Sequence, residues 1–396
     1  MSSSTKIEEI QVLRAIAVIL VVVFHARFDL TGSPHPALAT FFGYLGGDAG
    51  IDLFFVISGF VIARNLVPTL QADVPAVLAR RALLVFWLKR AFRVLPSAWF
   101  WLVFTLVCAL FFNESGAFGH LKAVYEGAIT AMLNVANFRF QACFGWFECG
   151  PTTYYWGLSL ASQFYVVLPL LVLLSGRFLL PVLLVLLLSQ FPASTSLPPM
   201  FRFGGLTLGV LLAIFSHSQG YRLVEPAGLL NRRSVSASLF IFLILVLSTT
   251  QGGDLKVVQG NLKFSLVTFP AALMVLLASY GRDYLLPAGR LRSLMTWIGD
   301  RSYGLFLAHI PAFCLSREIL FEALPADASM TQQWLSHGLL SVGLMLVFSE
   351  LNYRFIEIPW QRRGRIFLAS WDHSDDLPSA KQDCPGKASH QVERRA

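Results

Sequence analysis

Apolar residues dominate ten blocks separated by short polar stretches: 10–25, 47–63, 94–112, 156–175, 178–190, 201–215, 236–249, 262–280, 294–315 and 334–355. A membrane-spanning helix needs about 20 mostly apolar residues, and most blocks approach that length. The pattern therefore predicts about ten transmembrane helices. The fifth, sixth and seventh blocks are short for a full span at about 1.5 Å of rise per residue. A further stretch, 121–137, is weakly amphipathic and carries Lys122 and Glu126, which suits an interfacial or re-entrant helix.

Composition points the same way. Of 396 residues, 55% are hydrophobic and 14% charged, against about 25% charged in soluble proteins. This excludes an ordinary soluble domain, and apolar runs along nearly the whole chain exclude disorder. Ten helices joined by short loops leave no room for a large soluble catalytic domain. The expected fold is an all-α integral membrane protein with its helices in one bundle, and any chemistry sits among them.

The formal charge is +8, from 31 Lys and Arg against 23 Asp and Glu. Basic residues concentrate in cytoplasmic loops, so most of the excess reads as topology rather than nucleic-acid binding. With ten spans, the amino-terminal side carries Lys6, Arg64, Arg80, Arg81, Lys89, Arg90, Arg93, Arg177, Arg222, Arg232, Arg233, Arg282, Arg290 and Arg292, fourteen in all. The other side carries six, Arg27, Lys122, Arg139, Lys256, Lys263 and Arg317. Both termini are thus expected in the cytoplasm. Residues 364–396 read as a flexible polar cytoplasmic tail after a membrane domain of 1–363, and the acidic amino terminus does not resemble a cleavable signal peptide. Cys143 and Cys149 share one short loop and could pair in an oxidising compartment.

Ionisable residues inside the apolar blocks are costly and mark candidate function. Arg14 and His25 lie eleven positions apart. At about 100° per residue that leaves them roughly 20° apart on one helical face. The face presents a cation near the cytoplasmic end and an imidazole near the far end. Asp52, among Gly46, Gly47, Gly50 and Gly59, is a candidate partner for a histidine or arginine in the bundle, or a charge at a helix start. Lys89, Arg90 and Arg93 fall within one turn at an expected helix start, where cations oppose the helix dipole and so suggest a bound anion such as phosphate. Tyr303 and His309 share the ninth block with Arg301, and Arg202 opens the sixth. Trp146, Tyr154, Tyr155 and Trp156 crowd the preceding outer loop, as an aromatic belt or a sugar-stacking surface.

These pieces resemble the membrane-bound acyltransferase 3 family of bacterial glycan O-acetyltransferases. The matching motifs are VLRAIAVILVVVFH, GGDAGIDLFFVISGFVI, KRAFRVLP, WGLSLASQFYVVLPLL, RFGGLTLGVLLA, IGDRSYGLFLAHIP and YRFIEIPWQRR, in the family's order over 8–363. The resemblance implies an O-acyltransferase in the bacterial inner membrane that moves an acetyl or other short acyl group from cytoplasmic acetyl-CoA to a hydroxyl of an exported or surface glycan, without a metal. It implies His25 as the catalytic residue; Asp52, from its place in the apolar second block, is the candidate that would hold the ring in its useful tautomer. Arg14, Arg90 and Arg93 would hold the acyl-CoA, with Tyr303 and His309 in the binding set. Coenzyme A carries several phosphate charges that suit an arginine-rich mouth. A histidine at the far end of the path could deprotonate the attacking hydroxyl, and an acyl-histidine intermediate is the alternative route.

One departure stands out. Where the family carries a glutamate just before Gln163-Phe164-Tyr165, this chain has Ala161 and Ser162. Asp52 or Glu148 would then have to supply the carboxylate. Competing readings are a glycan or lipid-precursor flippase, since intramembrane charges also mark transport paths, and a non-catalytic family member. No inverted internal repeat supports the first of these.

Overall fold

A computed structural model describes residues 7–30, 47, 49–71, 75–190, 199–230, 232–249, 261–325 and 327–374. Gly46, Lys256 and the carboxy-terminal 375–396 lie outside these. The described residues form helices joined by turns and irregular loops, with no strand among them. In chain order the helices are α1 Glu8–Asp29, α2 Ala49–Gln71, α3 Ala76–Phe111, α4 Leu121–Met132, α5 Ala136–Cys143, α6 Tyr155–Ser175, α7 Leu179–Leu188, α8 Gly204–Phe215, α9 Gln219–Leu223, α10 Ala227–Leu230, α11 Arg233–Thr249, α12 Asn261–Ser279, α13 Arg290–Phe321, α14 Met330–Leu351 and α15 Ile358–Ser374. A π-helical segment, Asn352–Glu357, joins the last two.

Six of these runs are long and apolar enough to cross a bilayer, with α6–α7 and α14–α15 each counted as one. Their surfaces explain why. Val166, Leu174, Val185, Leu188, Leu339 and Val342 are exposed on α6, α7 and α14, an apolar exterior that would aggregate in water but matches lipid. Side chains of α1, α2 and α13 form the centre instead: Val12, Leu13, Leu53, Val56, Leu307 and Ala308 are all fully buried. The chain is a multi-pass membrane protein.

Glycines set the closest approaches. A Cβ on Gly299 would stand 2.0 Å from the Gln11 carbonyl oxygen, so α13 meets α1 backbone to backbone. The ring of His25 lies 5.0 Å from that of His309 at the other end of the same pair. With Gln11 beside Gly299 and His25 beside His309, α1 and α13 run parallel. Gly50 sits against the Ala17 carbonyl and Gly47 against Leu20, which makes α2 antiparallel to α1. Gly205 meets Asp52 while Gly209 meets Val56 and Phe60, so α8 runs parallel to α2. Small residues at such crossings replace the hydrophobic drive that lipid removes.

Hydrogen bonds fix the remaining directions. Tyr155 Oη donates to Ala98 O at 3.0 Å and Trp87 Nε1 to Tyr165 O at 3.1 Å, which orients α6 antiparallel to α3. Ser341 Oγ donates to Ser316 Oγ at 2.8 Å between α14 and α13, and Trp101 Nε1 donates to Asn352 Oδ1 at 3.2 Å. α6 gives way to α7 at Gly176, whose φ of 48° favours glycine; Gln71 Nε2 donates to its carbonyl there.

Several sequence expectations change. The third block begins at Ala76 rather than near Val94, so Lys89, Arg90 and Arg93 lie inside a 36-residue helix. These cations therefore stand well past the first turn, away from the positive end of the helix dipole. The boundary read at Gly364 falls inside α15, which continues to Ser374. The stretch 121–137 forms α4 and the start of α5, broken at Asn134 with φ of 58°, and α5 is held to α6 through Asn137 and Gln163. Tyr154 and Tyr155 are buried, not displayed: their hydroxyls donate to Leu307 O and Ala98 O. Trp146 alone of that quartet is strongly exposed. Cys143 and Cys149 form a disulfide.

Because Gly209 packs within 2.3 Å (as a virtual Cβ) of the Val56 carbonyl, Gly209→Leu is expected to cost roughly 3 kcal/mol. Gly343→Leu, in open space, is expected to leave stability unchanged. Melting of the two purified variants in detergent checks this, and equal melting temperatures would contradict the crossing.

Candidate active site

The long interior helix α3 brings Arg90 and Arg93, three residues apart and so on neighbouring positions of one face, toward Arg14 of α1. All three line a cavity with a volume of about 150 Å³, together with Tyr165 of α6, Asp300 and Tyr303 of α13, and Glu357 of the π segment. The Arg90 guanidinium lies over the Tyr165 ring at 5.5 Å and the Phe86 ring at 5.7 Å. Such faces attract a cation that has lost water. Tyr303 Oη donates to Val94 O at 2.7 Å, which ties α13 to α3 at the cavity wall. Lys89 is not among the lining residues.

A second cavity, of about 410 Å³, adjoins the first and shares Arg14, Val61, Arg93, Asp300 and Glu357 with it. Its other walls mix polar residues, Gln11, Arg64, Asn65 and Gln361, with apolar ones, among them Ile7, Ile10, Phe60 and Ile358. The first, inner cavity adds Arg90, Tyr165, Ser302 and Tyr303 to the shared ring, together with the apolar walls Ile51, Phe54, Phe55, Leu158 and Phe306. The cations thus gather at and around the shared ring, with Arg64 on one side of it and Arg90 on the other. Ala161, where the family resemblance expects a glutamate nearby, also lines the inner cavity. The carboxylates lining both cavities are Asp300 and Glu357.

Past Phe306 lies a pair of imidazoles. The Phe306 ring is 5.8 Å from that of His309, and the His309 ring lies 5.0 Å from that of His25, tilted by 58°. Tyr154 packs edge-on against His309 at 4.9 Å. His309 is fully buried and its Nδ1 lies 2.6 Å from Phe306 O. A carbonyl only accepts, so Nδ1 carries the proton and Nε2 keeps its lone pair. That Nε2 has no hydrogen-bond partner among the described residues. His25 Nδ1 lies 3.1 Å from Asp29 Oδ2. The carboxylate acceptor again places the proton on Nδ1 and leaves His25 Nε2 basic. His25 keeps 20% exposure, so a reactant can reach it.

The structure brings Arg14, Arg90, Arg93 and Tyr303 together and joins His25 to His309. Asp52 stands apart from both groups. It lies in the first turn of α2 and pairs with Arg202 at 3.5 Å, the two side chains being 1% and 11% exposed. Arg202 also lies over the Trp156 ring at 5.2 Å. Glu148, the other carboxylate considered, accepts the His120 backbone N–H at 2.9 Å in the outer loop. Arg301 pairs with Glu350 and stacks on Trp297 and Tyr353. Asp29, Asp300 and Glu357 escaped the sequence reading. Asp29 was legible as the residue four beyond His25, whereas Glu357 depends on the π segment. Among the described residues no three metal-ligating side chains cluster.

The profile of a family described as an acyltransferase domain matches residues 7–351. The chain belongs to this acyltransferase 3 family. It is 27% identical over 379 residues to the peptidoglycan O-acetyltransferase OatA of Listeria monocytogenes, covering 89% of this chain and 56% of the relative. It is 23% identical over 385 residues to the O-acetyltransferase OatA of Staphylococcus aureus, covering 89% and 57%. The chain therefore spans little more than half the length of these curated relatives. No solved structure matches it.

Burial makes the Asp52–Arg202 pair sensitive to the loss of either charge. Asp52→Asn is expected to cost about 3 kcal/mol by removing one charge of a buried pair, and Asp52→Asn with Arg202→Gln to cost less than the two single losses together. Detergent melts of the single and double variants test this, and strictly additive losses would show that the two side chains are not coupled.

Proposed function

We propose that the protein is a membrane O-acetyltransferase that takes an acetyl or other short acyl group from cytoplasmic acyl-CoA and places it on a hydroxyl of an exported or surface glycan. The observation that carries this reading is the continuous series from the arginine-lined cavities to Phe306, His309 and His25. It matches a donor with phosphates at one end and a thioester at the other. The names of the relatives, peptidoglycan O-acetyltransferase and O-acetyltransferase, support a glycan acceptor.

The orientation follows the same logic. Ten helical runs alternate if α7, α8, α11 and α12 each cross, with both termini on the side of Glu8. That side carries the larger count of Lys and Arg, which places it in the cytoplasm. The Cys143–Cys149 disulfide lies on the other side, in keeping with an oxidising exterior. The membrane is then the bacterial inner membrane. Arginines 14, 90 and 93 face the cytoplasmic donor, and His25 lies toward the acceptor.

In the reaction, His25 Nε2 removes the proton from the acceptor hydroxyl as its oxygen attacks the thioester carbonyl. The new C–O bond forms, the C–S bond breaks, and the histidinium returns its proton to the departing thiolate. Asp29 positions the ring by accepting from Nδ1. Tyr303 and His309 shape the wall beside the donor, His309 bordering His25 with its own unprotonated nitrogen. Asp52 acts at a distance, through Arg202 and Trp156, on the packing of α2, α6 and α8.

Membrane vesicles carrying the protein, a glycan acceptor and labelled acetyl-CoA test the assignment. His25→Ala is expected to lower transfer by about 10²-fold to 10⁴-fold, and Asp29→Asn by more than about 10-fold with little change in donor KM. A His25→Ala protein that acetylates at the normal rate would sink the base assignment.

A further inference from the structure

Glu357 is a carboxylate placed where a donor phosphate would least welcome it. It is 5% exposed and lines both cavities at the ring they share with Arg14 and Arg93. One of its oxygens, Oε1, accepts from Gln361 Nε2 at 3.3 Å. The other, Oε2, is buried and accepts no hydrogen bond from any described residue. A buried acceptor without a donor is costly and calls for an explanation.

The backbone shows that the placement is specific. Glu357 closes the π-helical segment Asn352–Glu357, whose wider turn changes the direction of side chains, and such bulges occur often at functional sites. Trp101 Nε1 anchors the segment's start through Asn352 Oδ1. A regular helix would aim residue 357 elsewhere.

The chemistry of the ring narrows what can occupy it. Arg14 and Arg93 attract phosphate, while an ionised carboxylate only accepts hydrogen bonds and repels an anion. A group resting beside Glu357 should therefore be neutral and offer N–H or O–H. An acyl-CoA has such a part: a linker with two amide N–H groups and a hydroxyl, between its phosphates and its thioester. We propose that Glu357 accepts a hydrogen bond from this amide-bearing arm and so holds the neutral arm, rather than a phosphate, at the ring where the two cavities meet. This rests on the acyl-CoA reading given above.

Binding of three probes to the purified full chain in detergent tests it: coenzyme A, pantetheine, which has the arm without the phosphates, and adenosine 3′,5′-bisphosphate, which has phosphates without the arm. Glu357→Ala is expected to weaken coenzyme A and pantetheine by a similar factor, about 10-fold or more, and to leave the bisphosphate within about twofold. Glu357→Gln, which keeps an acceptor oxygen, should lose less. Arg93→Ala should show the reverse pattern, weakening coenzyme A and the bisphosphate but not pantetheine. Tighter bisphosphate and coenzyme A binding by Glu357→Ala with pantetheine unchanged would make Glu357 a mere repulsive charge and overturn the proposal. So would three unchanged affinities in a variant that melts like the parent. A parent protein that binds pantetheine and coenzyme A but shows no acetyl transfer would refute the proposed function while leaving the arm site standing; one that binds none of the three would refute both.

Discussion

Everything in the candidate site hangs on the parallel packing of α1 against α13. At one end Gly299 lets the α13 backbone touch the Gln11 carbonyl; at the other the rings of His25 and His309 meet, tilted, at 5.0 Å. Between these contacts α1 carries Arg14 and α13 carries Asp300, Tyr303 and Phe306. In lipid, backbone groups must be satisfied within each helix, and helices gain little by hiding apolar surface from one another. A crossing without side-chain bulk is then a principal source of attraction. It also fixes register: a shift of one residue would turn the imidazole away from its neighbour by about 100°.

Around that pair, the other helices contribute one function each. α2 approaches α1 through Gly47 and Gly50 and α8 through Gly59 and Gly209, which brings the Asp52–Arg202 pair between them. α3 contributes Arg90 and Arg93, with the Tyr165 ring of α6 under the Arg90 guanidinium and the Tyr303 hydroxyl of α13 donating to the Val94 carbonyl. Charge within the bundle is thus divided. The Asp52–Arg202 and Arg301–Glu350 pairs are neutralised internally and brace the helices, whereas Arg14, Arg90 and Arg93 face cavities.

Much of this was legible in the order of residues, for reasons that can be named. Apolar blocks at bilayer length predicted helices correctly because lipid leaves the backbone little alternative. The shared face of Arg14 and His25 followed from helical arithmetic alone, since no kink intervenes in α1. The chain said less about partners in space. An isolated intramembrane acid such as Asp52 calls for a histidine or an arginine, and which of them it meets is decided by the α2–α8 crossing, whose glycines stand far apart in sequence. Charges that interrupt an apolar block read as a helix start at Arg90 and Arg93, whereas α3 is continuous and extends back to Ala76.

Glu357 shows most sharply where such reading ends. A π segment has the same composition as an α-helix and differs only in which carbonyl each N–H reaches, so neither spacing nor hydropathy reveals it. Its effect is to bring one carboxylate into the ring that holds Arg14 and Arg93 where the two cavities meet. Cation and carboxylate therefore share one ring. A uniformly basic ring would hold phosphate alone. A carboxylate set among the arginines also offers an acceptor to a neutral donor group, and it stands more than 250 positions from either arginine in the linear sequence.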